Sequence, residues 1–111
     1  MSKYQVVIPK NVYEQVYTIH NYIKYVLGNP TAALKMSREI MKSMRSLETF
    51  PNRGFDADEK VGKRMAQFVH SKGLVICQGK YLLFYTIDDD RKKVYITKLI
   101  SANSDYMRYF L

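Results

Sequence analysis

The stretch from Lys80 to Ile100 restricts the fold of this chain more than any other part. Two runs rich in β-branched and aromatic residues, Tyr81 to Ile87 and Val94 to Ile100, flank the polar segment Asp88 to Asp90. This pattern is typical of an antiparallel hairpin. The first run is apolar or aromatic at nearly every position, whereas a strand with one buried face alternates. The sequence therefore predicts a central strand that is covered on both faces.

One cover is predicted to be a pair of helices. A short strand-like run, Tyr4 to Ile8, precedes the first helix, and its Pro9 suits an edge strand or a strand end. The first helix is predicted to begin after Asn11 as N-cap and to stop at Gly28. Its apolar stripe comprises Val12, Val16, Ile19, Ile23, Val26 and Leu27.

The second helix is predicted to follow almost at once. Asn29 is its predicted cap, and Pro30 occupies the first helical position. Its apolar stripe comprises Ala33, Met36, Ile40, Met44 and Leu47. Because the turn between the two helices is short, they must lie antiparallel.

The region after the helices is predicted to contain shorter elements. Asn52 to Gly62 lacks periodicity and is predicted to be a loop. Arg64 to His70 and Leu74 to Cys77 are predicted strands, separated by a turn at Ser71 to Gly73. Asp105 to Leu111 is a predicted short C-terminal helix. The order β-α-α-β-β-β indicates a single α+β domain over residues 1–111, with a helical hairpin on a small, mainly antiparallel sheet.

Charge and cysteine content limit the function. Eighteen Lys and Arg against ten Asp and Glu give a net charge of +8, which attracts nucleic acid, anionic surfaces or an acidic protein. The ten tyrosines offer rings on which bases can stack, although most are expected to pack in the core. No apolar run approaches the ~20 residues that span a bilayer, and no signal peptide is evident. We therefore expect a cytoplasmic protein that does not contact membranes.

A metal or cofactor is not predicted. Cys77 is the only cysteine, which excludes an intrachain disulfide and a cysteine-rich metal site. His20 lies next to the first apolar stripe and is predicted to be an interface or core-edge residue. His70 lies in a separate element, and neither histidine has a Cys or carboxylate at ligand spacing in the sequence.

Four segments of the chain carry a resemblance to a known superfamily. They are the end of the first helix with the sequence Tyr22-Ile-Lys-Tyr25, the start of the second at Asn29 to Ala33, the segment Leu47 to Gly54, and the hairpin from Gly79 with the later Ser104-Asp-Tyr106. In order and spacing they resemble the RelE/ParE superfamily, the toxins of bacterial type II toxin–antitoxin modules. The resemblance covers nearly the whole chain.

The resemblance implies growth inhibition, a role in plasmid stabilisation and a cognate antitoxin. RelE-like members cut mRNA in the ribosomal A site, whereas ParE-like members inhibit DNA gyrase without a nuclease site. The long helical hairpin is more similar to the ParE side. Antitoxins of such modules are typically acidic, which suits a partner of charge +8. Apolar surface left for the antitoxin would serve a homodimer equally well, so the oligomeric state stays open.

Part of a RelE-type nuclease site is missing from the sequence. Metal-free RNA cleavage needs a base, an acid and cations around the phosphate. The resemblance implies an arginine directly after Tyr81, where this chain has Leu82, and another before the C-terminal Asp-Tyr motif, where it has Asn103 and Ser104. Tyr106 does match a family tyrosine. Whether the chain is an enzyme therefore stays open at this point.

A substitute set of polar residues is available for the nuclease alternative. Its predicted catalytic members are Arg64, His70, Lys72, Tyr85 and Tyr106. His70 is the candidate acid or base because its unperturbed pKa is near neutrality, although a solvated histidine beside a turn would look the same. Predicted contacts to target or nucleic acid are Lys60, Lys63, Lys80, Arg91, Lys92, Lys93 and Arg108. Of these, the run at Arg91 adjoins three aspartates, so much of its charge is balanced locally.

Three functions therefore compete. The first, slightly favoured, is a ParE-like gyrase inhibitor that needs no catalytic residue and binds its target through Asp105 to Leu111. The second is a ribosome-dependent mRNA endonuclease. The third is a non-toxic basic nucleic-acid-binding module, for which the superfamily motifs would be coincidence.

Overall fold

The computed structural model describes residues 3–58 and 70–101. Its strands are β1 (Gln5–Val7), β2 (Phe55–Asp56), β3 (Ser71–Ile76), β4 (Tyr81–Asp88) and β5 (Lys93–Ser101), and its long helices are α1 (Lys10–Asn21) and α2 (Pro30–Arg45). This α+β order confirms the predicted fold class, with β2 as an additional short strand. The predicted C-terminal helix, Asp105 to Leu111, lies outside the described residues, and the single-domain extent 1–111 stays a prediction.

The strands form one mixed sheet with β4 in the middle. The order is β1-β5-β4-β3-β2. β1 pairs with β5 in parallel, and the other three pairs are antiparallel. The predicted hairpin of β4 and β5 is confirmed, with Asp88 opposite Lys93 at its closed end. β1 is an edge strand, as Pro9 suggested.

Both faces of β4 are buried, as its continuous apolar sequence predicts. Leu83 and Tyr85 point toward the helices and belong to the main core. Leu82 and Phe84 alternate to the other face, where they pack with Ala57 in a second, smaller cluster. All four of these strand residues are at most 1 % exposed.

The helical hairpin covers the first face of the sheet. Its side of the core contains Val12 and Val16 from α1, and Ile40 and Met44 from α2. The predicted stripe of α2 is confirmed, because Ala33, Ile40, Met44 and Leu47 are fully buried and Met36 packs against the core. The Asn29 cap is also confirmed, since its Oδ1 accepts a hydrogen bond of 3.0 Å from the N–H of Ala32.

The predicted stripe of α1 is wrong at its C-terminal end. Val26 and Leu27 are 67 % and 59 % exposed. The reason is a π-helical turn, Tyr22–Val26, in which the N–H of Leu27 donates to the carbonyl of Tyr22. A wider turn rotates the residues that follow it away from the face that a period of 3.6 assigns to them. The chain then turns at Gly28, whose φ is +65°.

The start of α1 also differs from the prediction. The helix begins at Lys10, after Pro9 in an extended conformation, and Asn11 lies inside its first turn rather than at the cap. The carbonyl of Pro9 accepts hydrogen bonds from the N–H groups of Val12 and Tyr13. The fixed φ of proline suits this entry without any side-chain cap.

The predicted turn at Ser71 to Gly73 is wrong, because these residues begin β3. Gly73 lies opposite Phe84 in the sheet. A Cβ on Gly73 would lie 2.4 Å from the ring of Phe55, so this glycine makes room for a ring rather than for a turn. Of the predicted strand Arg64 to His70, only His70 is described, and it lies outside any strand. The predicted loop Asn52 to Gly62 contains β2 in its described part.

Among the described residues, no helix has the length and apolar character that crossing a membrane requires.

Candidate functional site

The end of the sheet where β3 begins carries a histidine held by a buried carboxylate. Oδ2 of Asp58 lies 3.1 Å from Nδ1 of His70 and accepts a second hydrogen bond of 3.1 Å from the N–H of Ser71. The Asp58 side chain is 9 % exposed and that of His70 is 70 % exposed. An ionised carboxylate only accepts, so Nδ1 carries the hydrogen and the neutral ring presents Nε2 as an acceptor toward solvent.

A second carboxylate lies beside this pair. One ligand atom from each of Asp56, Asp58 and His70 lies within 4.8 Å of the other two. Along the sequence no carboxylate stands at ligand spacing from His70, whereas the fold brings β2 next to β3. Two carboxylates and an imidazole form a donor set that a divalent cation accepts. However, the Asp58 carboxylate already accepts hydrogen bonds from Ser71 and His70, and we assign no metal to this site.

Tyr85 and Lys72 anchor the segment that leads into this site. The Tyr85 hydroxyl donates to the carbonyl of Pro51 at 2.7 Å and accepts from the N–H of Gly54 at 3.0 Å. Nζ of Lys72, opposite Tyr85 in the sheet, donates to the carbonyl of Gly54 at 3.4 Å. Burial raises the pKa of Tyr85 despite the hydrogen bond from Gly54 and the charge of Arg53, which lower it. These contacts give the buried hydroxyl a structural task.

The predicted catalytic residues are thus only partly brought together. His70, Lys72 and Tyr85 lie at the same end of the β3–β4 pair, whereas Arg64 and Tyr106 lie outside the described residues. Asp58 was not among the site residues predicted from the sequence. The only sequence signal for Asp58 was a carboxylate after a short β-like run, inside a region without periodicity.

A comparison with family models identifies the chain. Residues 6–106 match the model of the ParE toxin of the type II toxin–antitoxin system, parDE. The chain belongs to the ParE toxin family.

Solved structures agree with this assignment at the level of the fold. A chain of the chromosomal ParDE system from P. aeruginosa superimposes with a TM-score of 0.66 at 14 % identity, covering 89 % of this chain and 96 % of that one. The archaeal RelE–RelB complex from Pyrococcus horikoshii OT3 gives a TM-score of 0.57 at 19 % identity, covering 91 % and 97 %. A search of curated protein sequences gave no significant match.

In this ParE-family toxin, Leu82 occupies the strand position where the resemblance implies an arginine in RelE-like nucleases. Its side chain is 1 % exposed and packs with Ala57 and Phe84. A buried leucine contributes no charge to a phosphate, so this part of the sheet is core rather than site.

The predicted cationic contacts are dispersed. Lys80 lies at the opposite end of the β3–β4 pair from His70, because Ile76 pairs with Tyr81 there. Arg91 lies 3.9 Å from Asp88, and the ammonium of Lys92 lies 5.0 Å from the ring centre of Tyr4. Lys60, Lys63 and Arg108 lie outside the described residues, and Lys93 begins β5.

His20 is an interface residue, as predicted. It lies on α1, and its Nδ1 is 3.0 Å from the hydroxyl oxygen of Ser37 on α2. This contact joins the two helices of the hairpin, and it leaves the histidine with a structural role.

Proposed function

We propose that this type II toxin arrests growth by inhibiting DNA gyrase. The observation that carries the proposal is the match of residues 6–106 to the ParE toxin model. The geometry supports it in two ways. Leu82 is buried where the resemblance implies a nuclease arginine, and the Tyr85 hydroxyl is engaged with Pro51 and Gly54. Inhibition of gyrase by binding needs neither group to be catalytic.

The toxin has an antitoxin as partner, and we propose that this antitoxin is acidic. The net charge of +8 favours such a partner electrostatically. Large apolar side chains also lie exposed on the helical hairpin, among them Tyr22, Tyr25, Val26, Leu27 and Leu34. An antitoxin segment that orders on binding would remove them from water. Gyrase and the ribosome are both cytoplasmic, so the proposal places the toxin there.

A supercoiling assay tests the target. Purified toxin is added to gyrase and relaxed plasmid, and both supercoiling and protein-linked broken DNA are followed on gels. The expected result is loss of supercoiling at toxin concentrations that leave the relaxing activity of a type I topoisomerase on the same plasmid unchanged. Unimpaired supercoiling at a large excess of toxin would reject gyrase as the target.

The Asp58–His70 pair favours a second candidate, an mRNA endonuclease. In such a reaction, Nε2 of His70 takes the proton of a 2′-hydroxyl while its oxygen attacks the adjacent phosphorus. The bond to the 5′-oxygen breaks, an acid protonates that oxygen, and a 2′,3′-cyclic phosphate forms. Asp58 would stabilise the imidazolium, and the ammonium of Lys72 would supply positive charge nearby. The predicted Arg64 and Tyr106 would complete this set.

A translation extract discriminates between the two candidates. Toxin is added, and message integrity is followed by primer extension. Cuts at ribosome positions that disappear with His70→Ala, while its melting temperature stays near that of the parent, would establish the endonuclease. Intact message together with impaired gyrase would establish the first candidate. If expression of the protein does not slow the growth of cells, both toxin mechanisms are rejected and the non-toxic nucleic-acid-binding module remains.

A further inference from the structure

Five exposed residues form a line along the solvent face of α2. They are Thr31, Lys35, Arg38, Lys42 and Arg45, all exposed. Their spacing of four, three, four and three residues returns to the same face of a helix at every step. We call them the α2 cationic stripe. Its first and last cations, Lys35 and Arg45, are ten residue steps apart, which is about 15 Å of helix.

The charges of the α2 cationic stripe are not neutralised by the part of the chain that the structure describes. The two ion pairs found there are His70 with Asp58 and Arg91 with Asp88, so no carboxylate lies within ion-pair distance of the stripe. The nearest acidic residue in sequence, the half-buried Glu39, lines the same cleft as Lys35, Arg38 and Lys42, but its carboxylate is not within ion-pair distance of any of them. Like charges three or four residues apart destabilise a helix, and the single carboxylate of Glu39 beside four cations offsets only part of that cost.

The other basic run of the chain behaves differently. Arg91 contacts Asp88 through both its backbone N–H and its guanidinium. Lys92 contacts Tyr4, whose hydroxyl in turn donates to Asp89. The most concentrated cluster of lysine and arginine in the sequence is therefore balanced in the fold, whereas the cations of α2, dispersed in sequence, are collected on one line.

We propose that the α2 cationic stripe binds the phosphate backbone of nucleic acid carried by the target of the toxin. One strand of duplex DNA presents a phosphate about every 3.4 Å of axis, so about 15 Å of that strand presents about four phosphates, one for each cation. The stripe contains no aromatic residue for base stacking, so it fixes position without reading sequence. The inference rests on the proposed function and deepens it, because gyrase holds DNA and the ribosome is built on RNA.

An acidic protein segment is the other polyanion to consider. Protein interfaces are anchored by large apolar or aromatic side chains in buried pockets. Leu34 flanks one end of the stripe, but the exposed aromatic residues Tyr22 and Tyr25 lie in the turn before α2. The clefts along the stripe are lined by its own cations and short polar side chains, together with Leu34, Met41 and Glu39, and by no aromatic residue. The excess of cations and the lack of aromatic anchors favour phosphate over an amphipathic acidic segment.

The test removes the two central charges of the stripe. The double variant Arg38→Gln with Lys42→Gln keeps helix propensity nearly unchanged. The control is Lys3→Gln with Lys10→Gln, which lowers the net charge equally at two exposed positions outside α2. Binding of the full chain is measured by fluorescence anisotropy from about 50 to about 200 mM salt. The probes are a labelled DNA duplex of arbitrary sequence, a labelled single-stranded RNA and labelled polyglutamate.

We expect the stripe variant to bind duplex about tenfold or more weakly. The slope of log affinity against log salt should become shallower by about 0.9 for each lost contact on duplex and about 0.7 on single strands. The control should keep the slope of the parent. Equal losses in both variants, or loss of polyglutamate binding alone, would overturn the proposal. Circular dichroism confirms that both variants remain folded.

The same variant separates this inference from the proposed function. Unmodified toxin that binds duplex through the stripe but leaves gyrase active and message intact would reject the target assignment and support the stripe. Toxin that inhibits gyrase, with duplex binding unchanged by the stripe variant, would support the target assignment and reject the stripe.

Discussion

The hydroxyl of Tyr85 lies 2.7 Å from the carbonyl oxygen of Pro51, to which it donates a hydrogen bond. The hydroxyl oxygen of Tyr85 in turn accepts a hydrogen bond from the N–H of Gly54. One side chain of the central strand thus fixes both ends of the turn at Pro51–Arg53, which leads into β2 and on to Asp58. A tyrosine can be buried here because its ring fills the core while its hydroxyl forms hydrogen bonds with two backbone groups.

We predict that Tyr85→Phe lowers the free energy of unfolding by about 1–3 kcal/mol, because it leaves a carbonyl and an N–H without their buried partner. Urea unfolding of the variant and the parent measures this loss. Tyr17→Phe is the control, since Tyr17 is 67 % exposed and its change should stay within about 0.5 kcal/mol. Equal effects of the two substitutions would contradict the anchoring role.

The raised pKa of Tyr85 predicts a loss of stability in alkali. Burial is its main cause, so in the folded state the phenol keeps its proton above pH ~10, where the unfolded chain releases it. The folded state then binds more protons than the unfolded state, and the free energy of unfolding falls as pH rises through and beyond that value. The stability advantage of the parent over Tyr85→Phe should therefore shrink between about pH 9 and pH 11. A constant difference across this range would refute the assignment.

The sequence predicts the helices and strands of this fold better than it predicts which distant residues come into contact. The central strand and the stripe of α2 follow from local periodicity, and both are confirmed. The π-helical turn after Asn21 interrupts the helical period, and it contains no proline or glycine from which this could be predicted. Gly73 is a residue type typical of turns. Its place in a strand is explained only by the ring of Phe55, which leaves no room for a Cβ there. Asp58 and His70 are 12 residues apart in the sequence, so no local pattern predicts their contact.

The close approach of Phe55 to Gly73 predicts a coupled pair of substitutions. Gly73→Ala should destabilise the parent by about 1–3 kcal/mol, because a Cβ would lie 2.4 Å from the ring. In a Phe55→Ala background the same change should cost almost nothing or stabilise slightly, since alanine suits a strand better than glycine. Urea unfolding of the four proteins gives the coupling energy. Additive effects would show that the ring does not cause the strain.

The Asp58 carboxylate predicts the tautomer of His70. In the neutral ring the hydrogen should reside on Nδ1, because Asp58 accepts it at 3.1 Å. Asp58→Ala should release the ring to carry its hydrogen on Nε2. Nitrogen NMR of labelled histidine distinguishes the two forms, and His20, whose Nδ1 faces Ser37, is the internal control that should not respond. A ring that already carries its hydrogen on Nε2 in the parent would remove Asp58 as the orienting group and weaken the endonuclease candidate.

Leu82 and Val75 lie opposite each other on neighbouring strands and test the two-sided burial of β4. Leu82 is 1 % exposed, whereas Val75 is 53 % exposed on the same face. A carboxylate at Leu82 would be desolvated without a partner, so Leu82→Asp should cost several kcal/mol, roughly the whole stability of a small domain. Val75→Asp places the same charge directly across the strand pair, where water reaches it, and should cost only about 1 kcal/mol. Thermal unfolding followed by circular dichroism compares the two. If Leu82→Asp melts as a folded protein alongside Val75→Asp, the second face of the strand is not closed, and the structural argument against a nuclease site at this position loses its basis.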